Sequence, residues 1–257
     1  MAGRNHQRLK RADQYDDPAH NYLDYWHGRD YEHRAEVIAI RRLLKGRHFN
    51  LAVDVGGGYG RLDPVLKEFA DKVILAEPSK QQLNIAKTYL KGHPGIEMRQ
   101  LQAADLRIAD NTADLVACIR VMHHLPNPKA ELREIARILH PDGYAIIEMA
   151  NYMHAQNRVK HVMRHEAFPV KPVDIRSPEH RTKDEIPFVN HNPHTFMHQL
   201  ATAGLDVVQI LSVSNLRNQR LKKVLPLRLM LVGEKIMQPT LAGSFFGPSI
   251  FFLVTKH

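Results

Sequence analysis

The 257-residue chain has a single cysteine, Cys118, and a single tryptophan, Trp26. One cysteine excludes an intrachain disulfide framework and any zinc site built on cysteines. No run of 18 apolar residues occurs, so no segment reads as a membrane span. The opening stretch MAGRNHQRLKRADQYDD is basic and polar with no apolar block behind it, so it does not read as a secretory signal. There is no HExxH motif and no G-x-G-x-x-G fingerprint. These absences lead to the expectation of a cytoplasmic protein in a reducing compartment.

What is present is ordinary for a globular chain: 44% hydrophobic and 25% charged residues, which excludes a wholly disordered or fibrous protein. A chain this long can bury roughly 75% of its unfolded surface around one core, and a single domain is expected. The formal net charge is +9. It is uneven. Arg4, Arg8, Lys10 and Arg11 meet no acid in residues 1–12; residues 154–183 hold seven Lys/Arg against three acids, and 215–235 hold six against Glu234 alone. The rest of the chain is net acidic. Such segments read either as solvated surface or as attraction to an anionic substrate, nucleic acid or lipid headgroups.

Residues 34–150 alternate helix and strand signals. The spacing predicts a helix over 31–45, with Val37, Ile40, Leu43 and Leu44 on one face. Strands are expected at 51–55, 72–77, 96–101, 114–121 and 144–150, and helices at 63–70, 80–91 and 128–139. Ser79 suits the cap of the 80–91 helix. Strands separated by single helices imply a parallel sheet with right-handed crossovers. Residues 151–192 read as a long inserted loop with one helix near 153–165. A helix over 194–203, a strand at 205–213, one or two helices over 215–238 broken at Pro226, and a last strand at 249–256 complete the chain. That last strand, SIFFLVTK, is apolar enough to be buried on both faces.

The most informative stretch is Val53-Asp54-Val55-Gly56-Gly57-Gly58-Tyr59-Gly60, a buried strand running directly into glycines. Glycine is needed where backbone turns with positive φ and where a ligand lies against the main chain. The point beyond a strand's carboxyl end is where open α/β sheets bind ligands. A dinucleotide fingerprint starting at Gly56 and Gly58 would place its third glycine at 61, which is Arg61. Glu77 ends the next strand, where an acid can accept from both hydroxyls of a ribose. Asp105 follows the third strand, where a carboxylate can accept from an adenine amino group while Leu106 packs near the ring.

The stretches VDVGGGYG, LAEPS, QAADL, ACIRVMHHL and EIARILHPDGYAIIE, in that order, resemble the class I S-adenosylmethionine-dependent methyltransferases. The likeness is to the small-molecule, type 11-like branch that includes ubiquinone- and menaquinone-type enzymes, and it covers about residues 34–150. It implies an α/β, Rossmann-like fold: a seven-stranded, mostly parallel sheet, helices on both faces, and an antiparallel last strand. It implies S-adenosyl-L-methionine as cofactor, with Gly56, Gly57, Gly58 and Gly60 along its methionine part and Asp54 helping to orient it. Glu77 would hold the ribose, Pro78 and Ser79 would lie beside the adenosine, and Asp105 and Leu106 would meet the adenine. Many relatives carry a small or polar residue at the position of Arg120. An arginine there binds either the methionine carboxylate or an anionic acceptor.

In similar enzymes an aromatic N-terminal segment folds over the cofactor. Residues 1–33 would be that lid, with Tyr22, Trp26 and Arg29 closing on the methionine moiety and Arg29 pairing its carboxylate. The alternative is a helix packing its aromatics on the sheet. The cofactor half would be 34–150, the insertion 151–192 and the C-terminal half 193–257, with a helical cap over 215–242. His123 and His124 are the candidates for a general base, which is needed only for an acceptor that does not lose its proton unaided. His161/His165 and His194/His198 have chelating spacing, but seventeen histidines make chance pairs common, and no metal is expected. The expected partner is a small-molecule acceptor, with the oligomeric state left open. A nucleic-acid methyltransferase, for which no appended RNA-binding module or N-P-P-Y motif is found, and a non-catalytic cofactor-binding regulator are the alternatives.

Overall fold

A computed structural model describes residue 15 and residues 25–182 and 185–257; Tyr22 and the four basic residues of 1–12 lie outside the described residues. Its elements in chain order are α1 (Asp30–Leu43), β1 (Phe49–Val55), α2 (Asp63–Leu66), β2 (Ala70–Ala76), α3 (Lys80–Tyr89), β3 (Ile96–Arg99) and β4 (Ala113–Cys118). Then come α4 (Lys129–Ile138), β5 (Leu139–Ala150), α5 (Ala155–Arg164), β6 (Val173–Asp174), α6 (Pro178–Arg181) and β7 (Val189–Asn190). The chain ends with α7 (Pro193–Thr202), β8 (Leu205–Val213), α8 (Gln219–Val224), α9 (Leu227–Thr240) and β9 (Ser249–Lys256).

Seven strands form one sheet in the order β3-β2-β1-β4-β5-β9-β8. β1 pairs in parallel with β2 and β4, and β9 runs antiparallel to both β5 and β8. The expected Rossmann-like sheet with one antiparallel last strand is therefore present. Side chains alternate across it. Ile250, Phe252 and Val254 of β9 join the core on one face, with Val53, Val55 and Phe196. Phe251 and Leu253 join the other, with Ala52 and the Ile40 and Leu43 stripe of α1. Both faces are covered, which is why SIFFLV reads as one apolar run.

Ser79 caps α3, its side-chain oxygen accepting from the Gln82 amide at 3.1 Å, and Asn192 caps α7 ahead of Pro193 at the first helical position. Four expectations change. The helix expected over 63–70 is only Asp63–Leu66, because β2 already begins at Ala70. β4 stops at Cys118 rather than 121, since Arg120 takes φ +61° and leaves the extended region. β5 begins at Leu139, directly after α4; a register shift opposite Ala113 and Leu115 absorbs the Pro141–Gly143 irregularity. Residues 151–192 are largely irregular around the expected helix, α5, but they also hold α6 and the two-stranded β6–β7 ribbon.

Candidate functional site

The sheet order reverses direction at β1, which has β2 on one side and β4 on the other. A crevice opens at that switch point, beyond the carboxyl ends of the strands. Gly56 continues from β1 with φ +67° and donates its amide to the Ala76 carbonyl at 2.7 Å. A Cβ there would lie 2.5 Å from Val121 Cγ2, and one at Gly57 would strike the Asp54 carboxyl and lie 2.5 Å from Leu75 Cδ1. Bare backbone is thus required by packing below the loop. Glu77 fixes the loop from the side: Oε2 accepts from the Gly58 amide and Oε1 from the Ser79 amide, both at 2.9 Å.

The crevice is a cavity of about 370 Å³, within the usual range for small-molecule sites. Gly56, Gly57, Gly58, Asp54, Glu77, Pro78 and Arg120 line it, so the structure brings seven of the expected cofactor residues together. Among the rest, Gly60 is buried below the loop, where its carbonyl accepts from the Asp63 amide at 3.1 Å. Ser79 is spent on capping α3 and on donating to the Tyr15 carbonyl at 3.0 Å. Leu106 is fully buried in the core, with its amide bonded to Glu134 Oε1 at 2.9 Å, so it presents no surface to an adenine. Asp105 faces a neighbouring surface pocket and pairs with Arg107 at 3.2 Å. Gln102, Ala103 and Ala104 occupy the cavity wall instead.

Arg61 and Arg120 both line the cavity and meet on one buried carboxylate. Arg61 reaches Glu36 Oε2 at 2.5 Å, and Arg120 Nε reaches Oε1 at 2.6 Å. Glu36 is 1% exposed. Burial alone would raise its pKa, yet the two guanidinium charges hold it below the usual carboxylate range. Trp26 covers the pair, its ring centroid 3.5 Å from Arg61 Cζ and 4.9 Å from Arg120 Cζ. Arg61 also bonds His33 Nδ1. Trp26 therefore reaches the site through the arginines, whereas Arg29 stacks on Tyr25 at 3.9 Å and does not line the cavity. Arg120 sits in the left-handed region, disfavoured for a residue with a Cβ. Its amide bond to Glu148 Oε2 at 3.0 Å and its side-chain bond to Glu36 hold it there.

Asp54 and Asp63 lie side by side under the loop. Burial pushes Asp54 up to about 6 and Asp63 well above its ordinary range. The two histidines separate in role. His123 is 7% exposed and packs its ring 4.4 Å from Phe188. His124 lines the cavity. Its Nδ1 faces the Pro187 carbonyl at 3.1 Å, which can only accept, so Nδ1 carries the proton and Nε2 accepts from the Tyr15 hydroxyl at 2.9 Å. Burial lowers His124 to about 4. Among the described residues no three His, Cys, Asp or Glu side chains converge to hold a metal.

Three residues of the cavity wall, Arg61, Gln82 and Glu131, and the Glu36 carboxylate behind it escaped the sequence reading. Arg61 directly follows the glycines. Glu36 is an acid at helical spacing from Ile40 and Leu43, one turn after Glu32 on the same buried face, a signal that charge partners exist on that face. Gln82, on the first turn of α3, also lines the cavity, and both polar atoms of its amide are buried without a hydrogen-bond partner. Glu131 Oε2, on the same wall, is in the same condition.

Residues 53–147 match the family described as a methyltransferase domain. An uncharacterized methyltransferase of Mycobacteroides abscessus is 30% identical over 136 residues, which is 51% of this chain and 46% of that protein. A ubiquinone biosynthesis O-methyltransferase of Coxiella burnetii is 26% identical over 125 residues, 46% of this chain and 50% of that one. The chain spans half or less of the length of the curated relatives it matches. Among solved structures, a Thermotoga maritima S-adenosylmethionine-dependent methyltransferase, a possible histamine N-methyltransferase, superposes with a TM-score of 0.63. The two are 18% identical, over 95% of this chain and 98% of that one. Fold, crevice and family match agree: residues 53–147 match the methyltransferase domain family, and the sheet around them has the fold of the solved Thermotoga maritima structure.

Proposed function

We propose that the whole chain is an S-adenosylmethionine-dependent methyltransferase acting on a small-molecule acceptor in the crevice beyond β1, β2 and β4. The observation that carries this reading is the bare loop Gly56–Gly58, fixed by a buried Glu77 carboxylate on the wall of a 370 Å³ cavity. The orphaned polar atoms of Gln82 and Glu131 on that wall fit a polar occupant, since such atoms are costly when buried unpaired. S-adenosylmethionine, when bound, supplies an electrophilic methyl group on a sulfonium.

In this reading Glu77 takes the ribose hydroxyls, and Pro78, Gln82 and Ala103–Ala104 flank the adenosine. Arg61 and Arg120 receive the methionine carboxylate. Ile119, Val121, Leu125 and Pro187 supply apolar wall, keeping water from the reacting centre. Positioning is then the chief contribution of the chain. His124 Nε2 is the candidate to accept a proton, but a base near 4 is weak at neutral pH. The favoured acceptors therefore ionise unaided or have no proton to lose.

The test is incubation of the protein with labelled S-adenosylmethionine and a cell extract, followed by mass identification of labelled products. Label on a metabolite supports this reading. Label on RNA would transfer the assignment to nucleic acid, and cofactor binding without any labelled product would make the protein a regulator.

A further inference from the structure

Helix α9 is packed with its polar side inward. Met230, Glu234 and Gln238 form its buried face, and Glu234 and Gln238 have no solvent exposure at all. Glu234 Oε2 accepts from the Tyr31 hydroxyl at 2.6 Å and Oε1 from the Ser214 amide at 2.7 Å, while Gln238 Nε2 donates to the Ala35 carbonyl at 2.8 Å. The apolar residues point outward instead: Leu229, Val232 and Ile236 are 60%, 57% and 62% exposed. Their spacing of three and four residues makes one stripe along the helix. Val224, at the end of α8, extends it at 79% exposure.

This stripe has a cationic border. Arg228 and Lys235 are exposed one helical row from it, Lys223 lies exposed at its start, and Arg42 of α1 reaches across to the Lys235 carbonyl at 2.6 Å. The only acidic residue between 207 and 257 is Glu234, which is buried and occupied. Helix α5 repeats the mixture: Val162 and Met163 are 69% and 76% exposed beside Arg164. Its first residue is tied to the loop after α9 by the Ala155 amide to the Phe246 carbonyl at 2.9 Å. A stripe this apolar is unusual on a surface with no partner.

We infer that the outer face of α8–α9, with Leu229, Val232 and Ile236 bordered by Lys223, Arg228 and Lys235, docks on the surface of an anionic phospholipid bilayer. Charge decides the occupant. A second copy related by a two-fold axis would set this cationic border against itself. A bilayer takes the aliphatic stripe into its acyl boundary and matches the border with anionic headgroups. A helix of 14 residues lies in that interface and does not cross it. The inference is independent of the acceptor proposed above.

The experiment is flotation of the full chain with vesicles of phosphatidylcholine alone and of phosphatidylcholine mixed with phosphatidylglycerol. The expected result is binding to the mixed vesicles only, falling as salt is raised. Leu229→Ser with Ile236→Ser, and separately Arg228→Glu with Lys235→Glu, should each weaken it by about tenfold or more, with cofactor affinity and melting temperature unchanged. As a second readout, a polarity-sensitive dye on Val232→Cys should shift to the blue on mixed vesicles; Cys118 is buried and does not compete for the label. Flotation with neither vesicle, equal flotation of the variants, or an unshifted dye overturns the inference. So does light scattering that reports a dimer broken by the same substitutions.

Discussion

Glu77 Oε2 accepts the Gly58 amide at 2.9 Å, so one carboxylate ties the end of β2 to the loop that follows β1. Its removal takes away the acceptor of the Gly58 and Ser79 amides and, in the proposed complex, of the ribose as well. Glu77→Ala should weaken S-adenosylmethionine binding by about 1–3 kcal/mol, measured by calorimetry. Gly58→Val should abolish it, because φ +61° strains any side chain and, in the proposed complex, the added side chain would crowd the cofactor. Folded variants with unchanged affinity would remove the site from this crevice.

Trp26 is the chain's single tryptophan and lies against two cavity arginines. Filling the cavity should therefore change its emission, and a titration followed by fluorescence should give the calorimetric affinity. Trp26→Ala should lower unfolding stability by about 0.5–2 kcal/mol through the lost cation–π contacts, beyond what packing removes. An emission that ignores a ligand seen by calorimetry would separate Trp26 from the site.

Glu36 bridges Arg61 and Arg120 and offsets part of their charge where little water reaches. Glu36→Gln keeps the shape and removes the charge, leaving two guanidiniums facing each other. Denaturant unfolding should register a loss of about 3–5 kcal/mol, and the cofactor affinity should change as well, since both arginines line the cavity. A loss below about 1 kcal/mol would mean that water already screens the cluster.

The neutral state of His124 has a pH signature. Burial sets its pKa at about 4, below the ordinary 6.5. The unfolded chain therefore binds this proton first, so native stability falls as pH drops from about 6.5 toward 4 and is unaffected above that window. His33, His123 and His191 are lowered too and act in the same direction. Asp54 and Asp63, raised by burial, act in the opposite one. Comparison with His124→Asn isolates the one group: the variant's deficit at pH 7 should shrink by about 1–3 kcal/mol by pH 4.5. A deficit that stays constant would mean that His124 is solvated.

The alternation of strand and helix, the loop at 56–60 and the strand-end acid were legible because each is a local pattern. A strand has period two, a helix has period 3.6, and positive φ asks for glycine. Residues 205–213 and 249–256 were readable strands for the same reason, one of them apolar on both faces. What could not be read was which distant charges meet. Arg120 and Glu36 are 84 residues apart, and they touch because the sheet order sets β4 beside β1 with α1 packed across. Leu106 looked like a ligand contact from its neighbours in sequence, but core packing claimed it. The helix α9 is the sharpest case: its composition was amphipathic either way, and only the buried hydrogen bonds of Glu234 and Gln238 decided which side faces out. Periodicity is a property of the chain, whereas the partner of a buried charge is a property of the packing, because no charge is buried until another element arrives to pair it.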